Sequence, residues 1–436
     1  MKNSSTSSSK SSLQRLPWAG LLALALLLAI DRLAFDATGV WAALSARDPY
    51  GIGTPHLAMQ EIRREPLDKP RVLAVGPSRM FEGFSSQIAS RRLPGVAFAK
   101  LTHPRFEAFV IRALASDLLA MRPHAAVFLW SELDTNRPLR LEPVPGSSAA
   151  SLAAVWDLLR WTDLRFAIAN RASFYRLVAS SALDGYRYRR GLDDAGLRDT
   201  RSFTLDARLK PPRAFPRIFG EIVLQGAEPA PVSRAERERI IDSFGPEADR
   251  RFVDLSIDFV AEITPGEHAE LKRAFITRTV ELLRAAGVEV IVVEGPLHPD
   301  AAELYDVRLR EGFLAFMQRL TREHGVRFTP LEELPRFEAK DFKDLLHVAP
   351  SGTIKLTGAI LRALRPVLPP QSSKSLEEPY PNPLKQQRLP PPTHNNGNSG
   401  DVPCCFRYEP RENSEARPNF PTHNGNSEGT SPAFDS

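Results

Sequence analysis

Beyond about residue 70 the chain alternates short, nearly unbroken apolar runs with longer stretches of helical spacing. Val72–Val75, Val96–Leu101, Ala125–Trp130, Val288–Val293 and a short run opened by Val326-Arg327-Phe328 read as five strands. Between them, Phe106–Met121 sets Phe109, Ile111, Leu114, Leu118 and Leu119 at helical spacing. Ala269–Ala286 and Ala301–His324 read as helices stopped by Gly287 and Gly325, and Gly352–Val367 reads as the closing helix. Strands apolar on both faces, alternating with helices, predict an α/β domain whose parallel sheet is covered on both sides. In such sheets ligands bind beyond the carboxyl ends of the strands.

Three segments break the alternation. Residues 137–262 form an insertion whose first half is aromatic and basic, with Trp156, Arg160, Trp161, Arg165, Phe166, Arg171, Tyr175, Tyr186 and Tyr188. That pattern suits helices capping a soluble domain more than helices lying on a membrane. Residues 369–436 are rich in Pro, Asn, Ser and Gly and read as a disordered tail, where His394 and His423 are solvated. At the other end, a Ser-rich leader over 1–15 carries Lys2, Lys10 and Arg15 ahead of the apolar run Leu16–Ile30. With no small-x-small cleavage site close behind, residues 16–35 read as a signal anchor and 36–69 as a linker into a domain spanning 70–368. The basic flank before the run keeps the leader cytoplasmic and sends the domain across. The expectation is a single-pass protein of the inner membrane with a periplasmic domain.

Composition narrows the field a little further. The 436 residues carry 57 Lys and Arg against 52 Asp and Glu, a net charge of +5, too small an excess to point to nucleic acid. The two cysteines, Cys404 and Cys405, are adjacent and build neither a disulfide framework nor a zinc site. No P-loop and no glycine-rich dinucleotide turn follows a strand, so no cofactor or metal is expected.

The candidate chemistry lies at the two ends of the alternation. The first strand runs into Gly76-Pro77-Ser78-Arg79, and Asp344-Leu345-Leu346-His347 stands just before the last helix. A serine attacks an acyl carbon when a base takes its proton; a histidine serves as that base when a carboxylate fixes its tautomer. Asp344 and His347 are close enough in sequence to share one turn. A histidine base implies activity that rises around the ordinary imidazole pKa of about 6.5. The G-x-S-x-G elbow is absent, because Met80 stands at its last glycine. After the fourth strand, Glu294, His298 and Asp300 read as a polar loop at the same sheet end, with His298 a candidate substrate contact. Arg79 is placed to pair with an anionic substrate or with Glu132.

The strand leading into Gly76-Pro77-Ser78-Arg79, together with Asp344-x-x-His347 before the last helix, resembles the SGNH (GDSL-type) hydrolases and acyltransferases. The resemblance covers about residues 70–135 and 265–367. The anchored layout looks most like their membrane-tethered, extracytoplasmic members, the DltD-like and alginate-acetylation proteins. It implies a flavodoxin-like three-layer sandwich, with Ser78 as nucleophile, His347 as base and Asp344 as its orienter. It further implies oxyanion donors after the second and third strands, where this chain offers Thr102, His103 and Asn136. Pro77 stands where the family has Asp or Ser, and Leu101-Thr102-His103-Pro104 lacks the family's glycine. The expected substrate is an acyl ester, lipid-linked or on an envelope glycan or polyol, with a membrane acyltransferase as a possible partner. The rival expectation, favoured by Pro77 and the missing glycine, is a non-catalytic relative that binds a glycan or an assembly partner.

Overall fold

The computed structural model describes residues 16–36, 53–103, 106–137, 148–162, 177–179, 232–244, 248–264 and 267–369. All of them fall in the first of two units, Met1–Pro379; the second, Tyr380–Ser436, lies outside the described residues. The leader, the tail and much of the insertion, named above, therefore lie outside them too.

In chain order the elements are α1 (Leu16–Asp36), α2 (Gly53–Arg64), β1 (Arg71–Gly76), α3 (Ser78–Gly83), α4 (Ser86–Arg92) and β2 (Ala97–Thr102). Then come α5 (Ala108–Ala120), β3 (Ala125–Trp130), α6 (Glu132–Asn136), α7 (Ser148–Trp161), α8 (Arg234–Ser243) and α9 (Arg250–Ala261). The domain closes with α10 (Glu267–Ala285), β4 (Glu289–Glu294), α11 (Arg308–His324), β5 (Arg327–Thr329) and α12 (Pro350–Leu364).

The five strands run parallel in the order β2-β1-β3-β4-β5. Their side chains alternate between two cores, as a pleated strand requires. Leu73, Val75, Ala126, Phe128, Val290 and Val292 face one layer, filled by Phe109 and Leu114 of α5, Phe275 and Val280 of α10, and Phe313 and Met317 of α11. Val72, Ala74, Val127, Leu129, Ile291 and Val293 face the other, filled by Met80 of α3, Phe84, Ala89 of α4, and Leu356 and Ile360 of α12. This is the flavodoxin-like sandwich. Each large side chain so buried contributes about 1.5–3 kcal/mol.

A third cluster lies over the carboxyl end of the sheet. There Ile240 and Ile241 of α8 and Val253, Ile257 and Val260 of α9 pack on Leu133, Leu345 and Leu346. Two helices of the insertion thus cap the sheet end where the candidate chemistry stands.

Some expectations change. Packing begins before residue 70, since Met59 and Ile62 of α2 join the first core. The helix expected over 301–324 is split into a short turn, Pro299–Glu303, and α11. Asp306 divides them by accepting the Arg308 N–H at 2.9 Å, a bond that competes with helix continuation. The N-terminal run does form a helix, α1. Among the described residues, however, no helix is long and apolar enough to cross a membrane. The apolar run of α1 is cut by Asp31-Arg32, short of the roughly 20 apolar residues a span needs.

Candidate active site

β1 and β3 are neighbours in the sheet, and the chain leaves β1 towards β2 on its other side. Beyond such a switch point the sheet end opens a crevice. Ser78 stands there, two residues past the end of β1 and on the first residue of α3. The Pro77 carbonyl accepts from Met80 and Phe81 N–H, which turns the chain tightly from strand into helix. Gly76 allows that turn: a Cβ there would lie 2.9 Å from Met80 Cβ.

The Asp344–His347 loop is closed on itself before α12. Lys343 N–H donates to His347 O at 3.0 Å, and Ala349 N–H to Asp341 O at 2.7 Å. Gly352 leaves room for the Asp341 carbonyl, which a Cβ would meet at 2.3 Å. Two links tie this region to α3. Lys343 Nζ pairs with Glu82, and Thr353 Oγ1 donates to Glu82 O at 2.8 Å.

These supports bring the three side chains together. Ser78 Oγ lies 2.8 Å from His347 Nε2. On the other side of the ring, His347 Nδ1 lies 2.8 Å from Asp344 Oδ2 and 3.0 Å from Oδ1. Asp344 is buried. Burial pushes its pKa up, but the His347 ring and the N–H groups of Leu346 and His347 outweigh that and hold it below the usual carboxylate value. An ionised Asp344 keeps the proton on Nδ1, which leaves the Nε2 lone pair to accept from the serine hydroxyl. Ser78 and His347 are both half-buried.

The expected oxyanion donors fare differently. His103 N–H is spent on Gly76 O at 3.2 Å. Asn136 is buried in α6, where its amide donates to Glu132 O at 2.9 Å and Thr135 Oγ1 at 3.0 Å. Both of its N–H groups are therefore committed. Thr102 ends β2 opposite Gly76. The donor closest in the chain to the Ser78 hydroxyl is Ser78's own N–H, which has no acceptor among the described residues.

The two expected substrate contacts are turned inward. Arg79 is buried and ion-pairs with Asp134, not with Glu132. Gly295 makes space for it, since a Cβ there would lie 2.8 Å from Arg79 Nη1. His298 is buried behind the Asp344–His347 loop, with its ring 4.3 Å from that of Phe244. Its Nδ1 accepts from Asp300 N–H at 3.2 Å, and burial draws its pKa down, so it stands neutral.

At the ends of β3 and β4, Glu132 and Glu294 belong to a buried network whose partners Tyr305 and Arg310 sequence pattern does not reveal. Tyr305 donates to Glu132, whose pKa burial pushes up. Glu294 takes Arg310 Nε at 2.6 Å and Leu331 N–H at 2.8 Å. Charged residues directly after apolar strands were the available signal; their partners come from distant segments.

No family model matches the chain, and no curated protein is similar to it. Among solved structures, one similar chain is a Bacteroides fragilis protein provisionally described as an acylhydrolase. It shares 11% identity at a TM-score of 0.30, over 71% of this chain and 95% of that one. A likeness of that size carries no argument.

Proposed function

We propose that the protein is a serine-dependent acyl-transfer enzyme of the SGNH type, with Ser78 as nucleophile, His347 as base and Asp344 as its orienter. One observation carries the reading: an unbroken relay from Ser78 Oγ through both ring nitrogens of His347 to the buried carboxylate of Asp344. Such a constellation is recognised by its geometry and not by sequence position.

The steps follow from the positions of the atoms. Ser78 Oγ attacks the ester carbonyl while His347 Nε2 takes its proton, and Asp344 steadies the imidazolium. Ser78 N–H supports the oxygen that becomes negative. His347 then gives its proton to the leaving alkoxide, and the acyl group remains on Ser78. In the second half His347 activates the acceptor, which deacylates the serine. The half-buried site supports water as one acceptor, and we place a sugar or polyol hydroxyl of the cell envelope beside it. A second reading, a non-catalytic relative that binds a glycan or partner, draws on the committed amide of Asn136 and N–H of His103. With donors missing, each costs about 2.7–4 kcal/mol of transition-state stabilisation.

Hydrolysis of 4-nitrophenyl acetate by the full chain separates the two readings. The enzyme reading expects turnover that falls at least about a thousandfold in Ser78→Ala and in His347→Ala. Turnover equal in the wild type and both variants would leave the binding reading standing.

A further inference from the structure

Ser256, on the buried face of α9, has no part in the relay, yet its hydroxyl touches the loop that carries it. Its Oγ accepts the Leu345 N–H at 3.1 Å and donates to Val253 O at 2.7 Å. Ser256 is 3% exposed and Leu345 wholly buried, so no water competes for either group. The other side of the same residue is held too, since Leu345 O accepts from His298 N–H at 3.0 Å. Leu345 follows Asp344 directly. The next two N–H groups, of Leu346 and His347, both close on Asp344 Oδ1 at 2.8 Å. The direction of the carboxylate therefore depends on the peptide that Ser256 grips.

We propose that Ser256 is a positioning residue. Through Leu345 it holds the 344–347 turn in the form that aims Asp344 at His347, and so it makes helix α9 of the insertion part of the site. The catalytic consequence rests on the acyl-transfer reading; the structural consequence does not.

An alanine at 256 removes the acceptor and keeps the helix, whereas threonine restores the hydroxyl. In Ser256→Ala, kcat for 4-nitrophenyl acetate should fall on the order of 10- to 100-fold while KM stays within about twofold, because a displaced base slows chemistry more than binding. Ser256→Thr should recover most of that kcat. Hydrogen exchange gives a readout independent of catalysis. In Ser256→Ala the amides of Leu346 and His347, which Ser256 does not touch, should exchange faster along with that of Leu345. Faster exchange confined to Leu345, or, with an active wild type, an alanine variant whose kcat equals it, would overturn the proposal. If the wild type shows no Ser78-dependent turnover and exchange still spreads to Leu346 and His347, the positioning role stands and the acyl-transfer reading falls.

Discussion

At the scale of residues, the site is a contest between burial and hydrogen bonding. Asp344 wins it as an anion, because three donors converge on its carboxylate. Its folded pKa lies below the unfolded value, so its contribution to stability is full above that value and is lost as pH falls through the folded one. Asp344→Asn would free His347 to take the wrong tautomer. We predict a loss of about 10³- to 10⁴-fold in kcat for an activated ester, with modest change in KM. Unchanged kcat would remove Asp344 from the mechanism.

Glu132 shows the opposite balance. Burial outweighs the hydroxyl of Tyr305, and its pKa is raised. The unfolded chain releases that proton at lower pH than the folded one, so the penalty for keeping Glu132 grows as pH rises above the unfolded value. Glu132→Gln should therefore gain stability over the wild type when urea midpoints are compared at about pH 8, and much less at about pH 4. An equal difference at both would show that the fold does not raise the Glu132 pKa.

That Ser78, Asp344 and His347 meet was legible in the sequence, because residue type and chain order already suggest it. The direction of a side chain was not. Nothing near Asn136 shows that its amide turns back into α6. Nor does anything near Arg79 show that it pairs with Asp134.

At the scale of elements, short turns decide where the chemistry stands. Gly76 lets α3 close on β1, and Gly352 lets α12 start against the carbonyl of Asp341. A methyl group at 352 would press on backbone, which cannot swing aside as a side chain would. Gly352→Ala should destabilise the fold by about 1–3 kcal/mol in urea titration and lower any turnover of 4-nitrophenyl acetate with it, because Asp341 leads into the Asp344–His347 loop. A variant as stable and active as the wild type would show that the loop has slack.

The central strands were readable because both faces are apolar. The capping helix α8 is hard to read in sequence, since Arg234-Ala235-Glu236-Arg237-Glu238-Arg239 hides its few apolar positions among charges. The role of α8 and α9 emerges only where Ile240, Val253 and Ile257 meet Leu345. The break at Asp306 was hidden for a different reason. The apolar spacing runs on across it, and a cap there depends on a single side-chain bond.

At the scale of the whole molecule, the parallel sheet turns a separation in sequence into a contact in space. The strand order β2-β1-β3-β4-β5 sets the first loop beside the crevice, and the last helix packs on the same face as α3. Ser78 and His347, 269 residues apart, are hydrogen-bonded as a result. Alternating strands and helices indicated the fold class, but strand order depends on which side each crossover takes, and local pattern does not encode that. The central claim is that Ser78 is an activated nucleophile. The most direct test is to treat the full chain with a fluorophosphonate and map the adduct by peptide mass spectrometry. We predict one adduct, on Ser78, lost in Ser78→Ala and strongly slowed in His347→Ala. An unlabelled wild type, or a label that persists in Ser78→Ala, would contradict it.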